Sequence, residues 1–214
     1  MKIQIRKEYI WIFLLSFFYL VGLVGLSYSH AEKLFLSLTP VILLMSFFLL
    51  LAFQLGWSRK SVIIYLFIAI SGFLVEVAGV KTGVIFGEYS YGKVLGPKVM
   101  ETPLLIGINW LLLSVCTYSI ISGFKMGVLL KIILSSFLML AYDVVLEPAA
   151  IYTGMWNWEK TSVPVQNYIA WFIISFVFQA ILNLGKVSPH NKLAKAVYLI
   201  QFFFFILLNI IVLN

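Results

Sequence analysis

The sequence predicts an all-α integral membrane protein with about seven transmembrane helices. Of its 214 residues, 63% are hydrophobic and only 11% are charged, whereas soluble proteins average roughly 45–50% apolar and 25% charged residues. The apolar residues also gather in seven runs, each close to the ~20 residues that cross a bilayer as a helix. The runs cover residues 9–27, 34–55, 61–80, 103–122, 127–147, 166–184 and 196–213. We expect them to form a single multi-pass transmembrane domain over residues 1–214.

The basic residues predict how the spans are oriented, because cytoplasmic loops carry an excess of Lys and Arg. If the N-terminus is cytoplasmic, the inside set is Lys2, Arg6, Lys7, Arg59, Lys60, Lys125, Lys186, Lys192 and Lys195, against Lys33, Lys81, Lys93, Lys98 and Lys160 outside. We therefore expect a cell-membrane protein with a cytoplasmic N-terminus and an extracytoplasmic C-terminus. The net charge of +7 is scattered over short loops, so we expect no nucleic-acid partner.

An internal repeat relates the third and fourth runs to the fifth and sixth. Residues 76–84 (EVAGVKTGV) align with residues 147–155 (EPAAIYTGM). After each Thr-Gly pair come an aromatic loop, a Pro, and an Asn with an aromatic residue at the start of the next run. Two units of the same orientation are related by rotation about the membrane normal. The repeat predicts that Glu76 lies opposite Glu147.

Three acidic residues lie within the predicted spans. Asp143 and Glu147 are four residues apart and share a helix face, and Glu76 lies between Gly72 and Gly79, which let another helix approach closely. An ionised carboxylate near the bilayer centre costs about 2.5–3.5 kcal/mol, so we expect the three carboxyl groups to converge in one cavity. Two structural alternatives stay open: Glu147 marks a helix end before a proline, or Glu76 is a protonated packing residue.

Aromatic and amide side chains accompany the acids. The loops at residues 81–102 and 149–165 contain so many rings that we expect them to fold back as a lid, although an interfacial aromatic belt is an open alternative. The residues expected to bind substrate are Tyr89, Tyr91, Asn109, Trp110, Tyr142, Trp156, Trp158, Asn167 and Trp171.

Several functional classes lack the residues they need. The seventh run has no Lys for a retinal Schiff base. A membrane prenyltransferase needs two acidic motifs that bind metal and diphosphate. Asp143-x-x-x-Glu147 is the one motif of that kind, and no Arg lies near it in the sequence. Cys116 is a lone cysteine, so we expect no thiolate metal cluster and no cofactor. A proton-linked lipid or small-molecule carrier stays open, since acids and repeats also occur in carriers.

Taken together, these motifs resemble those of the carotenoid biosynthesis membrane protein family, of the bisanhydrobacterioruberin hydratase and carotenoid 1,2-hydratase type. The resemblance covers roughly residues 70–175. It rests on EVAGVKTG (76–83), FGEYSYG (86–92), LGP (95–97), residues 103–110, D-x-x-x-E-P-x-A (143–150), G-x-W-x-W (154–158) and N-Y-x-x-W (167–171).

The resemblance implies chemistry at the end of a carotenoid taken from the bilayer. The expected activity is addition of water across the terminal C1=C2 double bond of a linear or monocyclic carotenoid, and a lycopene-type cyclase is the alternative. Hydration requires a proton donor, a cation-stabilising wall and a held water, without a metal or redox cofactor. We expect Asp143 to donate the proton, because it lies about 6 Å deeper than Glu147, while Glu147 and Glu76 hold the water. Membrane lipids and other carotenoid enzymes are the expected partners.

Overall fold

Seven long helices form the protein in the computed structural model, which describes residues 2–160 and 162–212. They are α1 (Lys2–Ser27), α2 (Ser29–Ala52), α3 (Arg59–Thr82), α4 (Leu105–Ser122), α5 (Val128–Tyr152), α6 (Val165–Leu184) and α7 (Lys192–Val212). Within the described residues, all seven are long and apolar enough to cross a membrane. The predicted all-α, multi-pass membrane fold is confirmed. Residue 213, the last of the predicted seventh run, lies outside the described residues.

Helix α5 is longer than its apolar run, because it continues through Pro148 to Tyr152. Proline removes one backbone donor, yet the following turn closes. The N–H of Thr153 bonds to the carbonyl of Ala149 at 2.9 Å, and its hydroxyl donates to the same oxygen at 2.7 Å. Glu147 therefore lies inside a helix, and the alternative that it marks a helix end is wrong.

Four short strands, which the sequence did not predict, organise the loops that follow α3 and α5. They are β1 (Tyr89–Tyr91), β2 (Lys98–Val99), β3 (Thr102–Pro103) and β4 (Trp156–Trp158). Strands β2 and β3 form a hairpin. Strand β1 pairs antiparallel with β4, which lies in the aromatic loop after α5. Tyr89 lies opposite Trp158, and Tyr91 lies opposite Trp156. The two loops thus fold back onto each other and bury Phe86, Tyr89, Tyr91 and Trp156, while Trp158 is half-buried.

The glycines of the two Thr-Gly pairs both adopt a left-handed backbone conformation. Gly83 follows α3 with φ of 65°, and Gly154 follows α5 with φ of 69°. This left-handed conformation favours glycine, which has no Cβ. The hydrogen bonds of the two turns differ, because the N–H of Gly83 bonds to the carbonyl of Gly79 and that of Gly154 to the carbonyl of Ile151. The internal repeat therefore stays a prediction.

Close packing of α3 against α4 depends on glycine. A Cβ added to Gly72 would lie 2.7 Å from Cβ of Trp110, and one added to Gly107 would lie 2.4 Å from the carbonyl oxygen of Ala69. Gly72 therefore admits a neighbouring helix, as expected. Gly79 accommodates a different partner, because its added Cβ would meet the ring of Phe86 at 2.5 Å. The loop before β1, not a helix, occupies that space.

We predict that Gly72→Ala lowers the free energy of unfolding by about 1–3 kcal/mol, the usual cost of overpacking a close contact. Gly123→Ala is the control, because its added Cβ has no neighbour closer than 3.6 Å. Thermal unfolding of both variants in detergent tests this. Equal melting temperatures for the two variants would contradict the close approach of α3 and α4.

Candidate active site

Three carboxyl groups surround one small cavity beneath the paired strands β1 and β4. Glu76 comes from α3, while Asp143 and Glu147 come from successive turns of α5. Their side chains line a cavity of about 30 Å³, and the residues are 4%, 0% and 2% exposed, respectively. The structure therefore brings together the three acids that the sequence singled out.

Glu76 accepts three hydrogen bonds from neutral donors. The phenols of Tyr89 and Tyr91 donate to Oε2 at 2.5 and 2.7 Å, and the indole N–H of Trp110 donates to Oε1 at 2.9 Å. Both phenols reach the carboxyl because alternate residues of a strand share one face, while Ser90 between them is exposed. Each oxygen of Glu76 is thus bonded.

Glu147 is bonded in the same manner by the strand that follows its own helix. The indole N–H groups of Trp156 and Trp158 donate to Oε2 at 3.1 and 3.0 Å. The amide nitrogen of Asn167 donates to Oε1 at 3.3 Å. Each glutamate therefore receives two aromatic donors from alternate positions of the strand in its own half of the chain.

Asp143 differs from the two glutamates in how its two oxygens are bonded. The amide of Asn167 donates to Oδ2 at 2.9 Å, so a single amide nitrogen contacts both Asp143 and Glu147. Among the described residues, Oδ1 is buried and has no hydrogen-bond partner. In the same part of the chain, none of the three carboxyl groups has an ion-pair partner.

The phenols beside Glu76 keep their protons. Burial, followed by the nearby Glu76 carboxyl, raises the pKa of Tyr91 well above its usual range, and the same two causes raise that of Tyr89. Both groups therefore act as donors at physiological pH. No group of three or more His, Cys, Asp or Glu side chains within the described residues is arranged to hold a metal ion.

Aromatic rings form most of the remaining wall. Trp171 stacks on Trp110 with ring centroids 4.0 Å apart, and Tyr89 lies 5.1 Å from Trp158. Three apolar lining residues, Phe86, Ile106 and Leu146, were not among the expected site residues. Of these, Phe86 opens the motif FGEYSYG, and Ile106 lies within residues 103–110, which also carry the family resemblance.

Tyr142 does not lie among the acids, where its position next to Asp143 had placed it. It lines a second, apolar cavity of about 520 Å³, and its hydroxyl donates to Oε1 of Gln201 at 3.1 Å. Adjacent helix residues point about 100° apart, since a turn takes 3.6 residues, so Tyr142 and Asp143 face different spaces. Asn109 lines both cavities.

The two cavities adjoin each other. Ile106, Asn109, Leu146 and Trp156 contribute to both walls. A molecule in the large cavity could therefore extend one end toward the carboxyl groups. A small cavity lined by three carboxyl groups thus lies beside a larger, apolar one.

Comparison with known proteins agrees with this arrangement. The sequence profile of a family described as "Carotenoid biosynthesis protein" matches residues 34–214. The chain is also 26% identical over 136 residues to the bisanhydrobacterioruberin hydratase of Haloarcula japonica, covering 60% of this chain and 46% of the hydratase. It thus spans about half the length of that relative. No solved structure matches. Since the profile covers most of the sequence, the chain belongs to the carotenoid biosynthesis protein family.

Proposed function

We propose that this protein is a carotenoid hydratase, which adds water across the terminal C1=C2 double bond of a linear or monocyclic carotenoid. The observation that carries the proposal is the buried Oδ1 of Asp143, which has no hydrogen-bond partner among the described residues, in a cavity shared with two glutamates that each accept three hydrogen bonds. Membership of the carotenoid biosynthesis family and similarity to a hydratase support the same reading.

The reaction follows from protonation of an alkene. The carboxyl O–H of Asp143 gives its proton to C2, the π electrons form the new C–H bond, and C1 becomes a tertiary cation. A water oxygen then bonds to C1. The proton that this water loses passes to Glu147 and returns to Asp143, so the net change is one added water. Asn167 contacts both carboxyl groups and keeps them adjacent during this exchange.

Hydrogen bonding favours Asp143 as the donor. Glu76 and Glu147 each accept three bonds from N–H or O–H groups, the pattern that suits an ionised carboxylate. Asp143 accepts one such bond. Coulomb repulsion between neighbouring carboxylates disfavours ionising all three. The proton is therefore best accommodated on Asp143, whose Oδ1 faces no competing donor among the described residues.

The walls of the cavity suit the cation and the water. Rings such as Trp110, Trp156 and Trp171 line it, and a desolvated cation–ring contact is worth on the order of 2 kcal/mol. A volume of about 30 Å³ has room for one or two water molecules between polar groups. Asn109, Glu147 and Glu76 are the groups placed to hold them.

The distribution of Lys and Arg residues over the loops supports a cytoplasmic N-terminus. Helices that each cross once alternate in direction, so the ends of α1, α3 and α5 share one side of the membrane. Under this orientation the carboxyl site lies toward the outer leaflet.

Expression in cells that make lycopene tests the function directly. Extracted pigment should gain the mass of one or two water molecules, because lycopene has a reactive double bond at each end. An isomer of unchanged mass would instead identify a cyclase, which uses the same protonation followed by ring closure. Unchanged lycopene would contradict both activities on this substrate and favour a carrier.

We expect Asp143→Asn to reduce hydration at least ~100-fold, the usual loss when a general acid is removed. The amide keeps the size and hydrogen-bonding capacity of the side chain, so the variant should still insert and retain pigment. Glu147→Gln and Glu76→Gln should be less severe and should divert some substrate to a cyclised product, since water is held less well.

Hydrated and cyclised pigments are quantified for the three variants at matched expression. Near-normal hydration by Asp143→Asn would refute its role as donor. An inactive Glu76→Gln beside an active Asp143→Asn would transfer that role to Glu76.

The buried phenols predict alkaline sensitivity. Because the folded-state pKa values of Tyr89 and Tyr91 are raised, the unfolded chain loses these protons first, and stability falls as pH rises above about 10. Each phenol contributes up to about 1.4 kcal/mol per pH unit. The double variant Tyr89→Phe/Tyr91→Phe should lose stability less steeply between about pH 9 and pH 11.

Melting temperatures measured across that pH range test this. The control is Tyr28→Phe, which removes a phenol at an exposed position. An unchanged slope in the double variant would show that the phenols ionise equally well in the folded protein.

A further inference from the structure

We propose that the apolar cavity beside the carboxyl site holds the hydrocarbon chain of the substrate, and that it opens sideways into the lipid between α1 and α2. This inference rests on the proposed function, because it concerns how the same carotenoid reaches the same acids. It assigns to α1 and α2 a role in substrate entry and selection.

The cavity offers an apolar surface of suitable size. Its volume of about 520 Å³ falls within the roughly 300–1,000 Å³ of small-molecule pockets. Its two tyrosines have their hydroxyls engaged elsewhere. Tyr142 donates to Gln201, whose amide donates to the oxygen of Tyr19 at 2.8 Å. The cavity therefore presents mainly rings and aliphatic groups, which suit a polyene better than a polar ligand.

The exposed part of the cavity wall lies on two helices. Phe18 and Val21 on α1 are 46% and 37% exposed, and Leu38 and Val41 on α2 are 43% and 59% exposed, although all four line the cavity. The lining residues from other elements are buried or half-buried. Since both helices are long and apolar enough to span the membrane, these exposed side chains face lipid, and the gap between the two helices is the route we assign to the substrate.

The inner end of the cavity adjoins the acids. Asn109 and Trp156 line both compartments, so a chain that enters from the lipid meets the carboxyl groups with its end. A long polyene exceeds this volume, and its remainder stays in the bilayer. Helix α1 precedes residues 34–214, which the family profile matches. The wall that α1 supplies therefore lies outside the matched residues.

Gly22 provides a position from which the cavity can be filled. It lines the cavity, and a Cβ added there would meet its nearest neighbour, the ring of Phe204, at 3.9 Å. Gly22→Trp should therefore fit locally and place an indole in the space assigned to the polyene. Val24→Trp on the same helix is the matched control, since Val24 is 58% exposed and does not line the cavity.

A second pair of variants tests the other side of the opening. Leu38 lines the cavity, whereas Leu34, one turn earlier on α2, is 61% exposed and does not. Leu38→Trp and Leu34→Trp therefore make the same chemical change inside and outside the cavity. If Gly22→Trp fails to accumulate in the membrane, this pair decides the question.

The full-length variants are expressed in lycopene-producing cells and purified in mild detergent, and two quantities are measured: pigment retained per protein, and the fraction of cellular lycopene that is hydrated. Gly22→Trp and Leu38→Trp should lower both by about tenfold or more, equivalent to 1.4 kcal/mol of binding. Val24→Trp and Leu34→Trp should stay within about twofold of the parent protein.

Equal pigment retention and hydration by Gly22→Trp and Val24→Trp, with the Leu38 pair also equal, would overturn the cavity assignment while leaving the hydratase intact. If instead the parent retains lycopene of unchanged mass and the two cavity-filling variants alone lose it, the cavity assignment holds and the hydratase proposal fails.

Discussion

The structure depends on burying three carboxyl groups inside a membrane-spanning bundle with neutral hydrogen-bond donors in place of cations. An unpaired ionised group in such surroundings is costly, so the surrounding chain has to bring donors close. Glu76 and Glu147 receive theirs from phenol, indole and amide groups. Gly72 belongs to the same requirement, because it lets α4 approach closely enough for the indole of Trp110 to reach Glu76.

The short β1–β4 sheet solves a geometric problem that helices alone do not. A helix places equivalent side chains three or four residues apart, whereas a strand places them two apart on one face. Tyr89 and Tyr91 can therefore converge on one carboxyl oxygen, and Trp156 and Trp158 on another. Antiparallel pairing of the strands holds both sets of donors in one layer above the acids.

Hydropathy and residue spacing predicted the seven helices, the three acids and most of the residues that line the small cavity. Burying charged groups in a membrane leaves few possible arrangements of these side chains. Other features depend on tertiary contacts. The strands are only two or three residues long, too short for a periodic signal. Tyr142 was wrongly placed among the acids because it is next to Asp143 in the sequence. In the structure its hydroxyl bonds to Gln201. The large cavity is lined mainly by ordinary apolar residues of five helices and two loops, so no single segment of the sequence predicts it.

The contrast in size between the two adjoining cavities has a consequence for the order of binding. The polar chamber holds about 30 Å³ beneath the strands, and its apolar neighbour about 520 Å³. If the larger space holds a polyene, as proposed above, the polyene lies against the wall that the two cavities share. On the same proposal, water has to enter the smaller cavity before the hydrocarbon covers that shared wall, and a volume of about 30 Å³ has room for one or two molecules. On the hydratase proposal, each docking event then hydrates one chain end, and the second end of a symmetrical carotenoid requires release, reversal in the lipid and a second docking.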